Sequence, residues 1–127
     1  ETLARVIAGV VARKLLPPET RVLAHAAAIG GIEAQSFDPR VIESTPVRCG
    51  DAAAATRMIE AIEAARDDND SLGGRVVCFV TNPPPGLGDP TFLKLKSRLA
   101  GAVMSIGATT GFSYGAGFRT AELRGRE

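Results

Sequence analysis

Apolar residues recur at helical spacing over the first 15 residues and predict an amphipathic helix. The stripe consists of Leu3, Val6, Ile7, Val10, Val11 and Leu15. Ala4, Ala8 and Ala12 form a second row of small residues four apart, which lets another element approach closely. Pro17 and Pro18 end the helix, because a residue that precedes proline is pushed out of the α region. We therefore expect this helix to be buried on two sides.

Two later segments have the composition of strands. Residues 21–29 predict an alanine-rich strand, which Gly30 and Gly31 terminate. Residues 75–81 predict a second strand with five consecutive apolar residues, Val76 to Val80. A run without alternation is typical of a strand that is covered on both faces. Between them, residues 32–50 hold two prolines and no sustained period, which predicts mostly loop.

Two further helices and a third strand complete the predicted elements. Asp51 is the candidate N-cap of the second helix, and Asp89 is that of the third, with Pro90 at the position where proline costs least. Gly107 ends the third helix, and residues 109–114 predict a strand. The apolar stripes are Ala55, Met58, Ile59 and Ile62 in the second helix, and Phe92, Leu95, Leu99, Val103 and Ile106 in the third. This alternation favours a two-layer α/β or α+β sandwich.

Composition narrows the class of protein. At 127 residues the chain has the size of one domain, spanning 1–127. Its 15 Lys and Arg nearly balance 14 Asp and Glu, so charge gives no reason to expect nucleic acid or an anionic membrane. No apolar stretch reaches the roughly 18 residues of a membrane span. Cys49 and Cys78 lack a CxxC spacing and are expected to be buried thiols, which fits a reducing cytoplasm.

The stretch from Asp70 to Pro90 holds the most distinctive motifs. A DSLGG turn, a short apolar run and a PPPGLGDP loop follow one another there. Further pieces are the opening ET, R-V and A-G, then IGGIEA at 29–34, PVRC at 46–49, MSI at 104–106, GAGF at 115–118 and LRGRE at 123–127. In this order, the pieces resemble the middle of chorismate synthase over nearly the whole chain.

The resemblance implies a fold and a function. It refines the fold to α+β: alternating helices and strands that form part of a layered sandwich, with helices packed between antiparallel sheets. It implies a cytoplasmic homotetramer and a parent chain roughly three times this length, of which these residues would be a truncated central core. The implied activity is that of a carbon–oxygen lyase of the shikimate pathway. That enzyme uses reduced FMN to convert 5-enolpyruvylshikimate 3-phosphate into chorismate and phosphate by 1,4-anti elimination.

We do not expect these residues to include the side chains that catalyse this reaction. The family's two histidine motifs do not occur, and we expect no catalytic residue, no residue in direct contact with flavin and no metal ligand here. The single histidine, His25, lies in an apolar segment. It is interpreted as a core or interface histidine, with a functional role as the alternative. The prolines before Gly86 and Gly88 remove the amide donors of a phosphate-binding loop, so that interpretation is not favoured.

Glu1 and Arg5 are the two candidate site residues. The resemblance places the family's phosphate-binding arginine–serine motif directly before Glu1, so Arg5 would lie one helical turn from the flavin site. The pair could orient an anion-binding arginine without touching the flavin, and a plain surface or interface pair is the alternative.

Two hypotheses about function follow. In the first, the chain is the core of a chorismate synthase and is inactive by itself. In the second, it is a non-catalytic oligomerisation or assembly module derived from that fold. An unrelated small-molecule-binding domain would require all the matching pieces to have arisen by chance.

Overall fold

The computed structural model describes residues 1–126 and combines helices with antiparallel strands. The helices are α1 (Thr2–Arg13), α2 (Ala52–Asp67) and α3 (Leu95–Met104), and the strands are β1 (Arg21–Ile29), β2 (Ile32–Glu33), β3 (Gly74–Thr81), β4 (Gly88–Asp89) and β5 (Leu93–Lys94). Two short 3-10 helices cover Ile42–Ser44 and Gly117–Glu122. The predicted α+β class with antiparallel sheets is confirmed. Glu127, the end of the LRGRE piece, lies outside the described residues.

The chain divides into two compact units, and the first of them, Glu19–Asn82, contains a three-stranded sheet. Its strand order is β2-β1-β3, and both pairings are antiparallel. β1 has the predicted bounds, and β3 begins one residue earlier than predicted. Residues 32–50 are mostly loop as expected, although β2 was missed because two residues carry no readable period.

The buried side chains of this unit surround the start of α2. The carboxylate of Asp51 accepts from the backbone N–H of Ala54, which confirms the predicted N-cap. Met58 and Ile42 are fully buried. The central cluster consists of Cys49, Ala54, Ala55 and Met58, with Ile29, Ile32, Ala34 and Val47 packed against it. This side of α2 therefore anchors the helix to β2 and the end of β1.

The prediction that β3 is covered on both faces is wrong for the described residues. Seven of its eight residues are exposed, and Val76 is 72% exposed. α2 packs on β2, at the opposite side of the sheet from β3. The apolar run of β3 is therefore not buried by any element of the described residues.

The second unit comprises Glu1–Pro18 and Pro83–Glu127, and α1 is its longest helix. The predicted helix is confirmed, and Glu1 at its N-cap makes no side-chain capping hydrogen bond. The predicted burial of α1 on two sides is wrong within residues 1–126, because every residue of the helix is exposed. Its apolar stripe is therefore left without a partner in the described part of the chain.

The start of α3 also differs from the prediction. Asp89 does not cap a helix but pairs with Leu93 in the β4–β5 hairpin, and α3 begins at Leu95. Gly88 has a φ of +84°, and a Cβ there would lie 2.5 Å from the backbone nitrogen of Leu95. This close approach needs a glycine and places the hairpin directly against the first residue of α3.

The predicted third strand at 109–114 is wrong, because these residues have no strand partner in the described residues. The short segment after it is the 3-10 helix Gly117–Glu122. Among residues 1–126, no helix is both long and apolar enough to cross a membrane.

Candidate functional site

Glu1 and Arg5 lie together at the start of α1, as predicted, and contact a third residue. The Nε and Nη2 atoms of Arg5 donate to Oε1 of Glu1 at 3.0 and 2.6 Å. Nη1 donates to Oγ of Ser105 and Nη2 to its backbone oxygen, both at 3.0 Å. Ser105 is the C-cap of α3, where the carbonyl groups of the helix carry partial negative charge. We call Glu1, Arg5 and Ser105 the Arg5 cluster.

Most of the hydrogen-bond donors of the Arg5 guanidinium are used within the Arg5 cluster. Four of the five N–H groups of Arg5 donate within the cluster. The side chain is 42% exposed, so the ion pair with Glu1 contributes only about 0 to 1 kcal/mol to stability. Sequence reasoning named Ser105 only as part of the MSI piece and did not predict its contact with Arg5, which is 100 residues away.

His25 is a buried histidine of the sheet, as predicted. It is 6% exposed, and its Nδ1 accepts a long bond of 3.4 Å from the backbone N–H of Gly50. Its ring centroid lies 4.8 Å from that of Phe37 and 6.1 Å from that of Phe79, nearly parallel to the latter. These contacts account for a histidine here without any substrate.

Asp51 connects α2 to the loop that follows β2. Its Oδ1 accepts from Ala54 at 3.0 Å, and its Oδ2 accepts from the backbone N–H groups of Gln35 and Ser36 at 2.9 and 3.0 Å. These backbone hydrogen bonds, that of Ala54 first, hold the pKa of the Asp51 carboxyl well below its usual range. The carboxylate is thus a structural anion that is already satisfied.

An open groove of about 620 Å³ lies on the sheet of the first unit, beside α2 and the DSLGG turn. Its lining is mainly apolar and includes Ala28, Ile62, Leu72 and Val76, with Arg66 at its polar part. A Cβ on Gly74 would come within 2.9 Å of the backbone oxygen of Ala28. The second glycine of the DSLGG motif therefore allows the strand to approach β1, which is a packing role.

The described residues do not by themselves fit a flavin. Every fully buried side-chain nitrogen or oxygen in residues 1–126 already has a hydrogen-bond partner, so none is left for a cofactor to bond. Arg5, which the resemblance places one helical turn from the flavin site, already donates hydrogen bonds to Glu1 and Ser105. We therefore derive no chemical step through FMN from these residues.

Within the described residues, the loop at Gly86 to Gly88 does not form a phosphate-binding site. The two cysteines do not form a metal site. Gly86 and Gly88 have φ values of +80° and +84° and lead into the β4–β5 hairpin, not into a helix N-terminus. Cys49 is buried and free as expected, whereas the expectation of a buried Cys78 is wrong, because Cys78 is free but exposed on β3. No group of three or more potential metal ligands occurs within 1–126.

The described residues form an α+β fold in which the exposed Arg5 cluster is bonded internally. The sequence profile described as chorismate synthase matches residues 1–127, so the chain belongs to the chorismate synthase family. It is 45% identical over 132 residues to a chorismate synthase of Methanosarcina mazei and 46% identical over 128 residues to one of Syntrophobacter fumaroxidans. It is 47% identical over 134 residues to a chorismate synthase of Synechococcus sp. strain RCC307. Each match covers 100% of this chain but only 36 or 37% of the relative, so the chain spans just over a third of their length.

Proposed function

We propose that residues 1–127 form a single core domain of a chorismate synthase, a carbon–oxygen lyase of the shikimate pathway. The proposed reaction converts 5-enolpyruvylshikimate 3-phosphate into chorismate and phosphate by 1,4-anti elimination. The observation that carries the proposal is the family match over the entire chain, together with relatives of that name at 45 to 47% identity. In this proposal the whole protein is cytoplasmic, tetrameric and dependent on reduced FMN.

The proposed task of this chain is to hold the fold, while other polypeptide of the parent enzyme supplies the reacting groups. Two observations support that division. Its one histidine is enclosed by Phe37 and Phe79, and the buried carboxylate of Asp51 is saturated by backbone donors. The N–H of Gly50 occupies Nδ1 of His25, and three backbone N–H groups occupy the two carboxylate oxygens of Asp51. The chain alone is therefore proposed to be inactive.

The Arg5 cluster is proposed to position the start of α1. Arg5 ties Glu1 to the C-terminal end of α3, so the direction in which the chain enters α1 is restrained from two sides. By the family resemblance, an arginine–serine motif that binds phosphate would stand directly before Glu1. Restraining Glu1 would then orient that arginine, which makes Arg5 a positioning residue.

This role is testable in a chimera in which these residues replace the matching segment of the Methanosarcina mazei chorismate synthase. We expect the chimera to form chorismate, and Arg5→Ala to raise KM for the phosphate substrate on the order of threefold to tenfold while kcat changes little. The reason is that ground-state anion binding is weakened and the reacting groups are untouched. Arg13→Ala is the control, because Arg13 is also an exposed arginine of α1 and its side chain makes no hydrogen bond or ion pair within residues 1–126. Equal KM values for both variants would contradict the role, and a folded but inactive chimera would contradict the proposed function.

The exposed stripe of α1 favours a second candidate function, a non-catalytic assembly module. Val6, Val10 and Leu15 are 60, 59 and 83% exposed, and a contiguous apolar face of this kind marks a surface that contacts another polypeptide. In both proposed functions the chain has a structural role. In the second, however, the parent protein has no lyase activity. Retention of chorismate formation by the chimera would count against it.

A further inference from the structure

A small open recess of about 290 Å³ lies on the three-stranded sheet of the first unit. Arg75, Val77 and Phe79 line it from alternate positions of β3, and His25 lines it from β1. Side chains alternate between the two faces of a strand, so the three β3 residues share one face of the sheet. Phe37, in the loop after β2, also lines the recess. The lining therefore combines aromatic rings with an imidazole and a guanidinium.

The imidazole of His25 keeps one nitrogen open to this recess. His25 is 6% exposed, and its Nδ1 accepts from the backbone N–H of Gly50. Its Nε2 makes no hydrogen bond within residues 1–126, yet no fully enclosed side-chain nitrogen there lacks a partner. Nε2 therefore has access to the surface, and it gains that access at the recess that His25 lines. An unpartnered polar atom on a side chain this deeply buried points to a ligand that supplies the missing partner.

The guanidinium of Arg75 is also available to a ligand. Its Nη2 lies 3.4 Å from Oε1 of Glu33, and both side chains are more than half exposed. This distance is longer than the roughly 2.7 to 3.2 Å of an N–H···O hydrogen bond, so the ion pair is loose. A guanidinium presents its donors in a planar fork that matches a carboxylate. Arg75 can therefore exchange Glu33 for the carboxylate of a ligand.

Phe37 and Phe79 form two aromatic walls that are in place before a ligand binds. They are 45 and 44% exposed, and their ring centroids lie 5.2 Å apart with the planes tilted by 53°. A Cβ on Gly50 would come within 2.8 Å of Cδ2 of Phe37, so the glycine makes room for that ring. The backbone N–H of Asp38 donates to the oxygen of Gly50 at 2.7 Å and fixes the loop beside it. Walls that are already ordered lower the cost of binding, and their exposed faces can pack against a further ring.

We propose that this recess binds a small aromatic carboxylate. Its single ring packs against Phe37 and Phe79, and its carboxylate bonds to Nε2 of His25 and to the guanidinium of Arg75. Charge favours an anion, because Arg75 is the one permanently charged side chain among the described residues that line the recess. The size favours a single ring, since about 300 Å³ is the lower end of the range for small-molecule sites. The site uses residues of the first unit alone and does not depend on the proposed lyase activity.

Titration of the full chain with benzoate at constant pH tests the site, with the imidazole of His25 as the reporter. His25 is the single histidine, so its ring nitrogens give the only imidazole signals in a nitrogen–proton NMR spectrum. Benzoate should shift the Nε2 signal in a saturable way, with a dissociation constant on the order of 1 mM. Benzamide keeps the ring without the charge, and acetate keeps the carboxylate without the ring. Each should bind about tenfold more weakly than benzoate, because each loses one of the two kinds of contact.

Three variants assign the carboxylate contact. Arg75→Gln should weaken benzoate binding about tenfold, because it removes the cationic partner of the carboxylate. Glu33→Gln should tighten it about twofold to fivefold, because it releases Arg75 and removes a nearby negative charge. Arg66→Gln is the matched control. Arg66 is an exposed arginine of the same unit with an exposed ion-pair partner, Asp67, and it does not line this recess, so benzoate should bind its variant like the unaltered chain.

Three results would overturn the proposal: no saturable shift of the His25 signal, benzamide or acetate binding as tightly as benzoate, or Arg75→Gln binding benzoate as well as Arg66→Gln does. Circular dichroism identifies a variant that fails to fold, and in that event the comparison of the three ligands on the unaltered chain still decides. These readouts are independent of chorismate formation, so failure here would leave the proposed lyase core untouched.

Discussion

Replacing Met58 by alanine should lower the free energy of unfolding by about 2 to 5 kcal/mol. Met58 is fully buried and belongs to the cluster with Cys49, Ala54 and Ala55. Truncation removes its transfer free energy and leaves a cavity beside residues too small to fill it. Only six apolar residues of residues 1–126 are buried, so few other contacts could compensate. Urea unfolding followed by circular dichroism measures the change.

Ile62→Ala provides the matched control, because Ile62 lies one helical turn further along α2 and is 38% exposed. Its loss should stay below about 1 kcal/mol, since much of the side chain is already in contact with water. Similar losses for the two variants would show that the core is not centred on Met58.

Asp51→Ala should lower the midpoint of thermal unfolding on the order of 10 °C. The substitution removes the N-cap of α2 and leaves the backbone donors of Gln35, Ser36 and Ala54 without their acceptor. Asp67→Ala is the control, because Asp67 is an exposed residue at the other end of the same helix. A shift no larger than that of Asp67→Ala would contradict the role assigned to Asp51.

The pH dependence of stability separates the charge of Asp51 from its shape. The folded-state pKa of its carboxyl is depressed relative to an unfolded value of about 3.9. The resulting stabilisation is therefore complete well above pH 4 and is lost as the pH falls toward the folded-state pKa, because the unfolded chain then binds the proton more readily. Asp51→Asn should be less stable at pH 7, and its stability should decline less than that of the unaltered chain between pH 5 and pH 3. Equal losses of stability in the two proteins would show that a group other than Asp51 causes the pH dependence.

The elements that sequence predicted correctly are those that local spacing specifies. The period of α1, the cap of α2 at Asp51 and the apolar run of β3 are all readable within a dozen residues, and all three were found. The family resemblance also came from short motifs in a fixed order, and the match over the whole chain confirms it.

The wrong predictions concern contacts between segments that are distant in sequence, which the spacing of residues cannot reveal. Asp89 and Pro90 have the sequence of a helix start, yet the positive φ of Gly88 turns these residues into a hairpin. The burial expected for α1 and β3 requires partners that residues 1–126 do not supply. Of the candidate site, Glu1 and Arg5 were foreseen from adjacency on one helix. Ser105 was not, since it is 100 residues from Arg5 in the sequence and only the folded chain brings the two side chains together.

We propose that these 127 residues form structural support for reacting groups that reside in other polypeptide. The most direct test is chorismate formation by the chain alone under argon, with 5-enolpyruvylshikimate 3-phosphate and photoreduced FMN. We expect no chorismate above a blank without protein, while the complete Methanosarcina mazei enzyme turns over in the same assay. Flavin-dependent formation of chorismate by the chain alone would contradict it.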